Sequence, residues 1–148
     1  MPWIGSKNGS RGETVENLFE MNLTPAQVNA VSNLGLALVG DGVYSLLCRT
    51  WLCARGDHTA RHLHRDSVQM VNAPAQALAA DRLLPVLSEE ELAYFRRGKN
   101  SHTHAAPKAA TRQEYAKATG LECLFGALYL MGKTQRLQEL FEIITVDS

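Results

Sequence analysis

Apolar side chains recur at helical spacing along most of this chain, and this periodicity restricts the folds that it can adopt. From Val28 onward they return every three or four residues, through Leu38 to Trp51, which is the pattern of a helix with one buried face. No stretch alternates apolar and polar residues as a half-buried strand does, and no internal repeat is visible. We therefore predict an all-α fold, a helical bundle.

Start and stop signals divide this pattern into separate helices. Thr24 followed by Pro25 predicts a helix start, because threonine caps a first turn and proline fits within it. Gly132 predicts the end of a long helix, and residues 99–110 are predicted to form a loop. The predicted helices cover about residues 24–54, 59–71, 74–84, 88–98, 111–131 and 134–144.

The length and composition fit one domain with a single core. The chain has 148 residues, of which 45% are hydrophobic and 20% are charged, as in ordinary globular domains. The Gly/Ser-rich residues 1–20 are predicted to be a flexible tail, and residues 21–148 to be the domain. No signal peptide and no run of about 18 apolar residues is visible. We therefore expect a cytoplasmic protein with no membrane segment.

Charge and cysteine content restrict which partners and which cellular compartment the chain is expected to have. The 15 basic and 15 acidic side chains cancel, so any attraction for nucleic acid must be local. Three cysteines cannot all pair within one chain, and none lies in a CxxC pair. We interpret Cys48, Cys53 and Cys123 as small core residues in a reducing cytosol.

Two carboxylates lie within otherwise apolar helical stretches. The neighbours of Glu122 at i−4, i+3 and i+4 are apolar or small, namely Ala118, Phe125 and Gly126, and Asp41 stands between two glycines. An unpaired buried charge is costly, so each acid requires a cation, a proton or a partner. One interpretation is a salt bridge to an arginine or exposure at the edge of the helix. The other is convergence of the two acids on a divalent metal ion, Mg²⁺ by the chemistry of its ligands.

The densest positive stretch of the chain precedes the helix that carries Glu122. It has no acid within 13 positions, and it could be either a solvated loop or an arm that contacts phosphates. A second candidate contact is the pair His64 and Arg65. His62 and His64 do not share a helix face, which argues against a zinc site there. The predicted RNA-contacting residues are Arg96, Arg97, Lys99, Asn100, His102, Lys108, His64 and Arg65, with His104 in the same positive stretch.

These segments resemble, in their order, the ribonuclease III family. Residues 36–44, LALVGDGVY, are similar to its signature helix, and residues 118–130, ATGLECLFGALYL, to its second acidic helix. Residues 97–100, RGKN, resemble a loop typical of the Mini-ribonuclease III group. Smaller similarities, over a resemblance that covers about residues 24–144, are the Pro107-Lys108 pair, Tyr115, Leu63-His64 and the alanine- and glutamine-containing segment around Gln76.

The resemblance implies a ribonuclease III-like domain that acts as a homodimeric, Mg²⁺-dependent endoribonuclease on double-stranded RNA. Asp41 and Glu122 would be its catalytic and metal-binding residues. Maturation of the 23S ribosomal RNA precursor is the implied task, with a ribosomal protein as a further candidate partner. Gly40 and Gly42 are expected to allow close approach of the signature helices across the dimer.

The chain departs from full-length ribonuclease III at three acidic positions. Leu34, Ala37 and Thr119 stand where that enzyme has carboxylates. Mini-ribonuclease III shares this reduced set, and the absence of a double-stranded-RNA-binding domain after residue 148 is also expected of it. Two alternatives remain open from the sequence. One is a catalytically inactive RNA-binding or scaffold protein of the same fold, and the other is a helical protein-interaction module.

Overall fold

The computed structural model describes residues 17–101 and 110–147. These residues form helices and no strand, so the all-α prediction is confirmed for the part that is described. A short 3-10 turn, Leu84–Val86, follows the fourth helix. The helices are α1 (Pro25–Asn29), α2 (Asn33–Ala54), α3 (Ala60–Val71), α4 (Ala73–Leu83), α5 (Glu89–Lys99), α6 (Arg112–Leu130) and α7 (Thr134–Thr145).

The first predicted helix is two helices, so the prediction of one helix over 24–54 was wrong. α1 begins with a capping box between Thr24 and Gln27 and lasts only five residues. Ser32 then starts α2, because its hydroxyl accepts a hydrogen bond from the Gly35 amide at 3.0 Å. The apolar periodicity does not reveal the break, because Val31 keeps the apolar spacing across it.

Capping explains why the later helix boundaries agree with the prediction. Ser88 and Glu91 form a capping box at the start of α5, and Thr111 and Glu114 form one at the start of α6. Each box satisfies two backbone N–H groups that a first turn otherwise leaves unpaired. Gly132 has a φ of 77°, a conformation that favours glycine and ends α6 sharply.

α6 is the central helix of the bundle, and it packs against α2, α4 and α5. Its middle section is buried from Ala118 to Leu128, except for Glu122. Phe125 of α6 meets Tyr44 of α2 edge to face, with ring centroids 5.4 Å apart. Since aromatic pairs add about 1 kcal/mol to the burial of their surface, this contact fixes α2 against α6.

The outer face of α2 is apolar and exposed. Leu34, Leu38 and Leu46 are 53%, 74% and 54% exposed. α2 is also long and apolar enough to cross a membrane by length and composition, although no such run was expected. Its inner face packs against α6, as a helix of a domain core does.

The cysteine and tail predictions have mixed outcomes. Cys48 and Cys123 are buried as predicted, but Cys53 is exposed. Cys53 lies near the C-terminal end of α2, on the side that α6 does not cover. Residues 1–16 of the predicted tail lie outside the described residues.

Candidate active site

Asp41 and Glu122 meet where α2 crosses α6. A Cβ atom on Gly40 would clash with the main-chain oxygen of Glu122 and lie 2.8 Å from the Gly126 nitrogen. The two backbones therefore touch, which only glycine permits at this position. Because Asp41 follows Gly40 directly in α2, both carboxylates lie at the same crossing.

Gly40 does not act as the resemblance suggested, whereas the expectation for Gly42 stays a prediction. Gly40 and Gly126 bring together two helices of the same chain, so the expectation that Gly40 serves an approach across a dimer was wrong. A Cβ atom on Gly42 would meet nothing within 4 Å among the described residues. The physical reason for the difference is their orientation, since Gly40 faces α6 and Gly42 faces outward.

The two carboxylates differ in their surroundings. Asp41 is exposed, which is the exposure at a helix edge that one interpretation of the sequence allowed. Glu122 is half-buried, and its pKa is raised to about 8. Burial is the largest cause, and the negative charge of Asp41 adds to it. The structure thus holds two carboxyl groups together with no ion pair to either of them in the described ranges.

Gln76 is a third polar side chain at this crossing. It lies on α4 and is only 3% exposed, and its contact with the Glu122 carboxyl lowers the pKa that burial and Asp41 raise. Its Nε2 atom is nevertheless buried without a hydrogen bond of good geometry to any described residue. Sequence reasoning assigned no role to Gln76, although an amide within an alanine-rich helix was a signal that could have identified it.

The donor set fits Mg²⁺ better than a fully protein-bound ion. The residues at 17–101 and 110–147 contain no group of three or more His, Cys, Asp or Glu side chains that could hold a metal. Zn²⁺ usually takes at least three protein ligands. Mg²⁺ is commonly held by one or two carboxylates and keeps several waters. Two carboxylates at the crossing match this second pattern.

The basic end of α5 is close to the same crossing. A Cβ atom on Gly98 would lie 2.5 Å from the Thr119 main-chain oxygen and 2.6 Å from the Cys123 Cβ. α5 therefore touches α6 on both sides of Glu122 in sequence. The exposed residues at this end of α5 are Arg96, Lys99 and Asn100.

Comparison with known proteins identifies the family. Residues 34–133, more than half of the chain, match the model of the Ribonuclease III domain. The chain belongs to the ribonuclease III family. Mini-ribonuclease 3 of a Thermoanaerobacter species is 42% identical over 121 residues, covering 82% of this chain and 85% of that protein. Mini-ribonuclease 3 of Symbiobacterium thermophilum is 43% identical over 109 residues, covering 74% and 84%.

A solved structure has a similar fold. A crystal structure of a Fusobacterium nucleatum protein superposes with a TM-score of 0.71 at 31% identity, and covers 78% of this chain and 93% of that one. Within its family the chain is thus a Mini-ribonuclease III, and it is an endoribonuclease. The resemblance and the ribonuclease III-like fold predicted from sequence are confirmed.

In this ribonuclease III domain, Arg97 forms hydrogen bonds to other residues of the chain. Its Nε donates to the Asn33 side-chain oxygen at 2.6 Å, and its Nη2 donates to the Val31 main-chain oxygen at 2.7 Å. These bonds hold the end of α5 against the start of α2. Sequence reasoning missed Asn33, since no local signal links residues so far apart. A role of Arg97 in RNA binding stays a prediction.

The remaining predicted RNA contacts are not brought together by the described structure. His64 and Arg65 are exposed on α3, and Arg65 pairs with Asp66 at 2.9 Å. α3 packs mainly against α2 and α4, whereas α5 packs mainly against α6. The predictions on His102, His104 and Lys108 fall outside the described residues.

Proposed function

We propose that this endoribonuclease is Mg²⁺-dependent and hydrolyses phosphodiester bonds in double-stranded RNA. The observation that carries the proposal is the convergence of Asp41 and Glu122 at the α2–α6 crossing. Two carboxyl groups held this close by touching backbones cannot both ionise without a cost in free energy when no cation is near. A pair of carboxyl groups that can ionise fully only beside a cation is typical of a metal-binding site.

Asp41 and Glu122 would hold the ion, directly or through its waters. A bound Mg²⁺ supplies an activated water and stabilises charge on the scissile phosphate. Glu122 must lose its proton to serve as a ligand, because its pKa is raised to about 8. Asp41 is exposed, so a phosphate could reach it from solvent. No side-chain nucleophile is required.

The exposed end of α5 supports the choice of substrate. Arg96 and Lys99 form no ion pair within residues 17–101 and 110–147. They are available to phosphates near the crossing, with Asn100 able to bond a 2′-hydroxyl. Duplex RNA is recognised mainly through its phosphates, its 2′-hydroxyls and its shape. Lys108 and His102 are included in the proposal as RNA contacts, and His64 and Arg65 would provide a separate surface.

The exposed face of α2 supports a homodimer. Leu34, Leu38 and Leu46 form a row beside a cavity of about 460 Å³ whose lining includes Phe19 and Val43. Contiguous exposed apolar surface of this kind marks interaction sites. Two copies packed through this face would carry one Asp41–Glu122 pair each, which suits cleavage of both strands of a duplex.

The biological task that we propose is maturation of the 23S ribosomal RNA precursor in the cytoplasm. The support for it is the similarity to proteins named Mini-ribonuclease 3. A ribosomal protein is included in the proposal as a candidate partner that presents the precursor.

One assay tests the proposed reaction. Duplex RNA is incubated with the protein with and without Mg²⁺, and new 5′-phosphate ends are measured for the wild type and for Asp41→Asn. We expect Mg²⁺-dependent cleavage by the wild type and a loss of at least about a hundredfold in Asp41→Asn, with RNA binding retained. Near-wild-type cleavage by Asp41→Asn would contradict the assignment of Asp41 as a catalytic residue. RNA retention without cleavage by the wild type would favour an inactive binder.

A further inference from the structure

Gln76 is buried beside Asp41 and Glu122 at the α2–α6 crossing, and the packing of the fold alone does not explain a buried amide there. It is 3% exposed on α4, and its helix is otherwise buried through small or apolar side chains such as Ala77 and Ala80. A primary amide without a partner costs about 1–3 kcal/mol when it is removed from water. An alanine or leucine would fill this helix face without that cost.

The group that the Gln76 amide meets is the Glu122 carboxyl. Among the influences of the described residues on that carboxyl, only Gln76 favours its ionised form, whereas burial and Asp41 oppose ionisation. The Nε2 atom remains without a hydrogen bond of good geometry to any residue in the described ranges. The amide is therefore held next to an acceptor with its donor capacity unused.

We propose that Gln76 is a positioning residue whose Nε2 donates a hydrogen bond to ionised Glu122 and turns that carboxylate toward Mg²⁺. This inference rests on the proposed metal site. A carboxylate with one oxygen held by an amide presents its other oxygen to a cation in a fixed direction. Such outer partners of metal ligands orient them and strengthen metal binding.

The chain contains a matched amide–carboxylate pair away from the site. Gln138 donates from Nε2 to Glu142 at 3.3 Å on the exposed surface of α7. Gln76→Met and Gln138→Met remove the same amide and keep a side chain of similar length. The two variants differ in which carboxylate is deprived of its amide.

The test is Mg²⁺ binding by calorimetry on the full chain without RNA, at a pH above the Glu122 pKa of about 8. We expect Gln76→Met to raise the Kd for Mg²⁺ by about tenfold or more, with thermal unfolding still cooperative, and Gln138→Met to leave it unchanged. An unchanged Kd in Gln76→Met overturns this inference alone. A wild-type chain that binds no Mg²⁺ overturns the metal site and this inference together.

A measurement on the unaltered chain serves if Gln76→Met does not fold. The side-chain amide resonances of Gln76 and Gln138 are followed by nuclear magnetic resonance while Mg²⁺ is added. We expect the Gln76 amide protons to shift and their exchange with water to slow, and the Gln138 signals to stay in place. A Gln76 amide that does not respond, in a protein that binds Mg²⁺, contradicts the proposal.

Discussion

At the scale of single residues, Glu122 is under opposing demands. Burial and the charge of Asp41 raise its pKa to about 8, so the metal-free chain holds a proton there at neutral pH. A metal ligand must give up that proton. Burial and the nearby Asp41 charge keep the carboxyl protonated in the metal-free protein. A bound cation would offset that charge and favour loss of the proton.

The raised pKa of Glu122 predicts how the stability of the metal-free chain depends on pH. The folded chain holds the proton more tightly than the unfolded chain, whose glutamate has the ordinary value of 4.5. This contribution is fully present below pH 4.5 and is lost as the pH rises through about 8. We expect a loss on the order of 4 kcal/mol in the free energy of unfolding over that range, measured by urea denaturation.

Two comparisons isolate this effect. Glu122→Gln carries no charge at any pH, so its stability profile should be flatter than that of the wild type over the same range. Saturating Mg²⁺ should restore stability to the wild type at high pH but not to Glu122→Gln, because a ligand that binds only the folded chain stabilises it. Parallel profiles for the two proteins would show that Glu122 does not titrate as described.

At the scale of helices, glycines decide how α6 meets its neighbours. Gly40 and Gly126 allow contact with α2, and Gly98 and Gly120 allow contact with α5. Each contact removes the space that a Cβ atom would need. The distances between Asp41, Glu122 and the basic end of α5 are consequently set by backbones, which move less than side chains.

Gly40→Ala should separate α2 from α6 and disrupt the site. The added methyl group would clash with the Glu122 main-chain oxygen, and we expect the free energy of unfolding to fall by about 3 kcal/mol, together with a weaker affinity for Mg²⁺. Gly42→Ala is the matched control, since its methyl group meets nothing within 4 Å of the described residues and alanine favours the helix. Equal losses in both variants would contradict the assigned contact.

A second prediction separates the two roles within the RGKN segment. Arg97→Ala removes two short hydrogen bonds to the start of α2, so we expect stability to fall by about 2 kcal/mol. Lys99→Ala combined with Lys108→Ala should leave stability within about 0.5 kcal/mol. That double variant should instead weaken duplex-RNA binding and reduce its salt slope by about one for each phosphate that it no longer binds.

Urea denaturation and RNA-binding titrations at several salt concentrations check both halves of this prediction. An unchanged salt slope in the Lys99→Ala, Lys108→Ala variant would remove these lysines from the RNA interface. Full stability in Arg97→Ala would show that the bonds to Asn33 and Val31 contribute nothing to the packing of α5 on α2.

The helices show what the sequence can predict and where local signals end. α5 and α6 lie within one or two residues of their predicted bounds because capping residues are local signals. The break before Ser32 was missed because apolar spacing continues across it. Convergence of Asp41 with Glu122 was expected from the family resemblance, whereas spacing alone left it open. The contacts of Gln76 and Arg97 join distant helices, and no local rule predicts such pairs.

At the scale of the whole molecule, the apolar face of α2 remains to be accounted for. A helix in a domain core usually buries most of its apolar side chains, but Leu34, Leu38 and Leu46 are each more than half exposed. Asp41 lies between Leu38 and Leu46 in the sequence of the same helix, so whatever covers this face would also border the proposed metal site. A second copy of the chain would cover it and leave each Asp41–Glu122 pair beside the interface.

Leu38→Glu should therefore convert a dimer into a monomer. Burial of a charge in an apolar interface is strongly unfavourable, so analytical ultracentrifugation should give the wild type twice the 16.3 kDa of one chain and the variant 16.3 kDa. Leu78→Glu, on α4, is the control, because Leu78 is 69% exposed but lies on another helix. We expect Leu78→Glu to stay dimeric. A monomeric wild type would contradict the proposed dimer. A Leu38→Glu dimer as tight as the Leu78→Glu dimer would show that the α2 face is not the interface. If the monomer keeps its fold but cuts only one strand of a duplex, the pairing of two active sites is what gives the enzyme its action on double-stranded RNA.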